Sequence, residues 1–190
     1  MKKLVILLFV LIAAVAYIQS KPAKKLEKHE INKQKQPLAL RLVCCSDALV
    51  IESPRKKIIS DARKIFEAGI SPKFKDWEFN DPGPSTGKKK ISIYETEGKG
   101  TFLQIFTSLS NDLESAWLTQ AQISDICELH PNWLNRDGLD NLILTKIKGA
   151  YFVITVTTTP KGLAVDIDCL ANSKVVEKCQ RIIIVRQEQE

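Results

Sequence analysis

The sequence predicts an α+β fold. We expect a single domain, mainly an antiparallel sheet with two or three helices packed on it, after an N-terminal signal or anchor and a flexible basic arm. The length of 190 residues and the apolar fraction of 44% fit one globular domain with an appendage. Branched and alternating apolar runs dominate after Leu139, which is typical of half-buried antiparallel strands. Segments with helical spacing and capping residues precede them.

The N-terminal segment has the organisation of an export signal. Met1-Lys2-Lys3 leads into an uninterrupted apolar stretch over residues 4–18, which corresponds to the n- and h-regions. Ala14-Val15-Ala16 provides the small-x-small pattern that a signal peptidase requires. We therefore predict that residues 1–16 are a signal peptide, cut between Ala16 and Tyr17, and that the protein is periplasmic or secreted.

An uncleaved anchor over residues 4–18 is the alternative. As a helix, this stretch of 15 residues spans about 22 Å, less than the roughly 30 Å of a hydrocarbon core. More lysines follow the segment than precede it, and Tyr17 suits a membrane interface. The alternative predicts a protein anchored in the inner membrane through this segment.

The net charge of +6 originates in the N-terminal part. Of 28 basic residues eight precede Pro37, and of 22 acidic residues two do, which leaves 20 of each in the remainder. Residues 17–36 are rich in lysine and poor in large apolar side chains, so we predict a flexible arm before a globular domain over residues 37–190. A neutral domain lacks the basic field of a nucleic-acid binder, and we expect no nucleic-acid partner.

The globular part begins with a predicted strand and a predicted helix. Residues 38–45 are strongly apolar and predict a strand, and Ala48–Ile51 either extend this strand or follow it. Ser53-Pro54 has the pattern of a helix start, because a hydroxyl that can cap the helix precedes a proline. Apolar residues then recur at helical spacing until Gly69.

The middle of the chain predicts short elements around a loop. Residues 74–79 are a weakly patterned strand or docking segment, and residues 80–90 contain two prolines and two glycines, which predict an exposed loop. Residues 91–96 and 101–107 predict a pair of strands. Ser110 or Asn111 can cap one helix, and Thr119 forms a possible capping box with Gln122 at the start of a second.

The last third is dominated by predicted strands. Alternating or continuous apolar patterns define four of them, and a single helical turn is expected at Val175-Val176. The strands cover residues 142–147, 151–159, 163–169 and 182–185. The last run is continuously apolar, so we predict that it is covered on both faces.

Five cysteines are distributed over the domain. If the domain is exported, disulfides can form. We predict a bridge between Cys169 and Cys179 and a second between Cys127 and either Cys44 or Cys45, with one thiol left over because the number is odd. The chain has no Cys-x2-Cys pair and only two histidines, so we expect no metal site and no cofactor.

Candidate catalytic residues are isolated pairs rather than complete motifs. Ser53-x-x-Lys56 would place a lysine one helical turn from a hydroxyl. Cys127 and His130 are three residues apart and could share a helix face as a thiolate–imidazolium pair. The strand pair Asp166 and Asp168 could bind a divalent ion or form a solvated face. Helix capping and burial explain Ser53 and Cys127 without catalysis.

The leading hypothesis is an exported, non-enzymatic binding protein, such as an inhibitor, an immunity-type partner or an accessory subunit of envelope machinery. Its partner would be another protein, held by the exposed loop at residues 80–90 or by Trp133. A cell-envelope hydrolase using Cys127 and His130, or Ser53 and Lys56, is one alternative. A membrane-anchored structural component is the other.

Overall fold

The computed structural model describes residues 38–53, 56–84, 87–136 and 138–186. The predicted signal peptide or anchor, its cleavage point between Ala16 and Tyr17, and the Lys-rich arm lie outside the described residues. The described residues form a mixed α/β unit built on a large, mostly antiparallel sheet with few helices.

Nine strands form two sheets in these ranges. The small sheet pairs β4 with β8, and the large sheet has the order β1-β3-β9-β5-β6-β7-β2. Its neighbours are antiparallel except for β5 beside β9 and β2 beside β7, which are parallel. The strands are β1 (Leu40–Ile51), β2 (Gly69–Ile70), β3 (Lys89–Thr96), β4 (Gly100–Thr101), β5 (Asp140–Ile147), β6 (Ala150–Thr159), β7 (Gly162–Cys169), β8 (Val175–Val176) and β9 (Arg181–Val185).

Four α-helices occur in the described ranges, and two of them are single turns. They are α1 (Lys73–Asp76), α2 (Phe102–Leu109), α3 (Leu113–Ala116) and α4 (Gln120–Leu129), with 3₁₀ turns at Ile59–Asp61 and Pro131–Trp133. The predicted capping box of α4 is confirmed, because the Thr119 side chain accepts from the Gln122 amide and Gln122 reaches back to the Thr119 backbone.

Helices cover both faces of the central strands. One apolar cluster lies between the sheet and α4 and includes Ile126 and Ile183, both fully buried. The other includes Phe106 of α2 together with Ile182 and Ile184 of β9. Because side chains alternate across a strand, these neighbours in β9 face opposite layers, which confirms the prediction that this strand is covered on both faces. The two outermost strands, β1 and β2, leave the sheet with open edges in the described part of the chain.

The predicted helix from Ser53 to Gly69 is wrong. In the described part of this segment, only a 3₁₀ turn at Ile59–Asp61 and isolated turns occur. The backbone finds its partners elsewhere in the fold: the Ile59 amide donates to Gln120 Oε1 at 3.2 Å, and the Ala68 amide donates to the Leu163 carbonyl at 3.0 Å. Tertiary hydrogen bonds therefore replace the intrahelical ones.

Three shorter predictions are also corrected. The predicted strand at residues 101–107 is α2, because Thr101 and Gln104 form a capping box and the apolar residues that follow have helical spacing. Val175–Val176 is a strand that pairs with Gly100–Thr101 instead of a helical turn. Part of the predicted strand at residues 74–79 is the single turn α1.

Removing the Gln120 amide should destabilise the fold more than removing a comparable exposed amide. Gln120 accepts from the Ile59 amide and donates to the Asp81 carbonyl at 2.6 Å, and both contacts are poorly accessible to water. Gln120→Ala should lower the free energy of unfolding by about 2–3 kcal/mol, because buried backbone groups lose their partners. Gln104→Ala, at the exposed capping box of α2, should lower it by about 1 kcal/mol or less. Urea denaturation measures the free energy of unfolding of both variants. Equal losses would contradict the larger stabilising role that the buried contacts give to Gln120.

Candidate functional site

A groove of about 580 Å³ opens beside β2. This volume lies within the range of ligand-binding clefts in proteins. Phe66 and Phe74, both almost fully buried, contribute an apolar floor, and Ile70 adds to it. Four charged residues stand around this floor, namely Asp61, Arg63, Glu67 and Lys75.

The charged residues of the groove form no ion pairs within the described part of the chain. Arg63, Glu67 and Lys75 are exposed, and none of them forms an ion pair with any described residue. Asp61 has only a long contact from the Ser60 hydroxyl, 3.5 Å from its Oδ1. Two acids and two bases therefore face a common space, and charges of a partner could pair with them without breaking existing bridges.

The groove lies on the open side of the sheet edge. β2 pairs in parallel with β7 through Gly69 and Ile70, and no β7 residue lines the groove. Gly69 has φ of +143°, and a Cβ placed there would meet nothing within 4 Å. The Gly69 amide already donates to the Phe66 carbonyl at 3.2 Å, and the Ser71 amide donates to the Val165 carbonyl at 2.9 Å, so a partner would be held mainly by side chains of the groove.

An ion bridge holds α1, which forms the far wall of the groove. Lys73 Nζ lies 3.0 Å from Asp166 Oδ2 and 2.8 Å from Asp168 Oδ1. The carboxylate pair considered for a divalent ion is thus occupied by a lysine of this chain. Burial alone would raise the pKa of Asp166, but hydrogen bonds from Ser71 and Lys73 outweigh it and hold this pKa below its ordinary value.

The Ser53 and Lys56 pair is not assembled. Ser53 is only 4% exposed, and its hydroxyl donates to Asp125 Oδ2 at 2.6 Å. Lys57, rather than Lys56, shares this carboxylate, with its Nζ 2.6 Å from Asp125 Oδ1, and it also binds Glu128. Lys56 is exposed and contacts no described residue through an ion pair or hydrogen bond. The Ser53 hydroxyl therefore ties the segment after β1 to α4.

The Cys127 and His130 pair is likewise not arranged as a nucleophile. Cys127 is 4% exposed, and burial raises the pKa of its thiol to about 12, so it is protonated at neutral pH. His130 follows the last residue of α4 and stacks on Trp133, with ring centroids 4.1 Å apart and planes 10° apart. The imidazole thus covers an aromatic ring of the core.

The exposed tryptophan is Trp77, and Trp133 does not offer the surface contact predicted for it. Trp133 is 7% exposed, whereas Trp77 is 41% exposed. Trp77 lies at the end of α1 against Phe79 and Phe152, with ring centroids 5.7 Å and 6.1 Å away. Trp77 therefore presents an exposed aromatic side chain at the end of α1, outside the lining of the groove.

The predicted disulfides are not present. All five cysteines are free, and no two lie at disulfide distance. Cys169 ends β7, and Cys179 lies two residues before the start of β9, which is three strand positions away from β7 in the sheet. Three steps of about 4.8 Å exceed the roughly 7 Å between the Cα atoms of a bridge. Cys127 is a buried residue of α4, whereas Cys44 and Cys45 are exposed on the edge strand β1.

The charged residues of the groove were missed by sequence reasoning. Arg63 and Glu67 fall within the predicted helix, where a spacing of four residues is usual for a solvated helix face. Lys75 falls within the segment interpreted as a weak strand. The available signal was Gly69 followed by Ser71-Pro72, which breaks a helix and brings the chain back to the sheet edge.

The described residues contain neither a membrane-spanning helix nor a cluster of metal ligands, and the chain resembles no known family. None of the described helices has the length and apolar character needed to cross a membrane. In the same ranges, no three His, Cys, Asp or Glu side chains are grouped as metal ligands. No protein-family model matches the chain, and no curated protein or solved structure is similar to it at a significant level. The groove beside β2 is the candidate site on its own geometry.

The bridge from Lys73 should stabilise the fold in a pH-dependent way. Lys73→Met should lower the free energy of unfolding by about 0.5–1 kcal/mol at pH 7, because the ion pair is partly exposed. The pKa of Asp166 is lowered in the folded state. Its contribution is therefore present above the unfolded pKa of about 3.9 and is lost as the pH falls through the lowered value.

Denaturation at a series of pH values measures this effect. The difference between wild type and Lys73→Met should shrink below about pH 4. Lys75→Met, which removes a charge from the same turn without breaking an ion pair, serves as the matched control. A Lys73→Met difference that does not change between pH 7 and acid would show that the ion bridge does not stabilise α1.

Proposed function

We propose that this protein is an exported, non-enzymatic binding protein, periplasmic or secreted, and that its partner is another protein held in the groove beside β2. The observation that carries the proposal is the combination of charges of both signs, which form no ion pair with any described residue, with an apolar floor beside an edge strand. Interfaces commonly place such an apolar centre inside a polar rim.

The groove suits an extended segment of the partner. Ile70 and Pro72, the accessible apolar residues of the groove, can pack against apolar side chains of that segment. Arg63 and Lys75 on one hand, and Asp61 and Glu67 on the other, can pair with an acid and a base of that segment. Trp77, beyond α1, is an exposed aromatic side chain of the kind that dominates binding energy at interfaces.

Export is supported by the N-terminal sequence, where two lysines precede an apolar stretch with a small-x-small site. An inhibitor, an immunity-type partner and an accessory subunit of envelope machinery would each use such a groove. The hydrolase alternative has less support, because the Cys127 thiol is buried with a raised pKa and the Ser53 hydroxyl is bound to Asp125.

The export proposal is tested by the intact mass of the protein from fractionated cells, alkylated without reduction. We expect a periplasmic or secreted species that begins at Tyr17. A full-length species in the membrane fraction would instead support the inner-membrane anchor over residues 4–18. The protein would then be an anchored protein and not a free exported one.

The groove is tested by photo-crosslinking in cells. A photoreactive amino acid at position 75 should yield one discrete adduct with another protein. The matched control has the photoreactive amino acid in place of Lys178, an exposed lysine just before β9, which is four strands away from β2. This variant should not form that adduct.

Charge reversal links the adduct to the chemistry of the groove. Arg63→Glu should reduce the adduct at position 75 about tenfold or more, equivalent to about 1.4 kcal/mol of binding free energy. Lys178→Glu, which reverses a distant charge, should leave the yield of the adduct at position 75 within about twofold of its value without this substitution. The same adducts at both positions, or an adduct insensitive to Arg63→Glu, would exclude the groove as the binding site.

A further inference from the structure

Residues 42–45, on the free edge strand β1, are exposed and uncharged. β1 pairs only with β3, so its other edge is open in the described part of the chain. Leu42 and Val43 are 47% and 39% exposed, and the thiols that follow, Cys44 and Cys45, are exposed as well. Four consecutive exposed residues of this character on an edge strand are typical of a pairing surface.

Irregularities in β1 confine this surface to a short stretch around the two thiols. The register with β3 shifts between Leu42 and Cys44, and again between Cys45 and Val50. Bulges of this kind interrupt the ladder that an added strand could form. A second strand therefore pairs over only a few residues, and its pairing is centred close to Cys44 and Cys45.

A second copy of this chain fits the edge without like-charge repulsion. Residues 42–46 carry no charge. The nearby cation, Arg41, is already paired within its own sheet, 3.1 Å from Glu95 and 3.8 Å from Glu97. The other sheet edge differs, because charged residues surround β2. The β1 strands of two copies can therefore pair in the antiparallel direction without charge repulsion. Such a pair has two-fold symmetry, as most dimers do.

Two-fold symmetry also brings identical thiols together. When the axis passes beside Cys44 or Cys45, that residue lies directly opposite its own copy. Directly opposed Cβ atoms in an antiparallel pair are about 4.5–5.5 Å apart, close to the roughly 3.5–4.5 Å of a disulfide. Adjacent cysteines of one strand point to opposite faces and cannot bond to each other.

We propose that β1 pairs with β1 of a second copy, and that a disulfide between Cys44 or Cys45 of the two chains closes this dimer. A few residues of strand pairing bury too little area to hold a stable dimer, so the covalent bond maintains it. The oxidant is a low-molecular-weight disulfide such as oxidised glutathione. One protein thiolate attacks it and releases one reduced glutathione. The second chain's thiolate then displaces the other glutathione, and each attacking thiol gives up its proton to solvent.

The thiol test uses full-length protein, purified and incubated with oxidised glutathione, then analysed by non-reducing electrophoresis and intact mass. We expect a species of twice the chain mass. It should persist in Cys169→Ser/Cys179→Ser, which removes the two other exposed thiols, and should fall at least tenfold in Cys44→Ser/Cys45→Ser. A dimer that requires Cys169 or Cys179, one that forms equally in both variants, or a wild type that remains a glutathionylated monomer would overturn the proposal.

A second variant tests strand pairing apart from thiol reactivity. Val43→Lys places two like charges close to the two-fold axis and should slow dimer formation at least tenfold. A nearby lysine alone would favour the thiolate, so slowing cannot come from thiol chemistry. The matched control is Val175→Lys, at a valine that is 54% exposed on another strand, and it should form dimer at the wild-type rate. Equal rates for both variants would exclude pairing through β1, and neither result depends on the groove beside β2.

Discussion

Two buried polar side chains of α4 fix the longest irregular part of the domain. Gln120 binds the backbone at Ile59 and at Asp81, and Asp125 binds Ser53 and Lys57. The segment between these contacts contains little regular structure, so its buried backbone groups depend on partners from outside the segment. The groove lies within this segment. Its shape therefore depends on α4, although no residue of α4 lines it.

The coverage of the sheet determines where binding can occur. Helices on both faces bury the central strands, which leaves the two edges as accessible main-chain surfaces. The edges differ in chemistry. β2 borders a groove with charges of both signs, which suits a partner of mixed charge, whereas β1 presents uncharged apolar residues and two thiols, which suit a copy of the same strand. One sheet can thus serve two separate contacts.

The pairs of residues that suggested catalysis make structural contacts in the fold. Asp125 accepts a hydrogen bond from the Ser53 hydroxyl, and burial raises the pKa of the Cys127 thiol. His130 covers Trp133, and Lys73 bridges the two aspartates of β7. In each case the residue types that make a catalytic pair reactive also satisfy hydrogen bonds or packing, and short sequence motifs do not separate these uses.

The sequence by itself determined the elements with local signals. The strands after Leu139 follow from apolar alternation, and the start of α4 follows from Thr119 and Gln122, because both signals act over a few residues. Only the tertiary structure decided that the segment after Ser53 is not a helix, and that Trp77 rather than Trp133 is exposed. Those outcomes depend on contacts between residues far apart in the chain, such as Ile59 with Gln120. Local propensity contains no information about such partners, and tertiary packing overrides it.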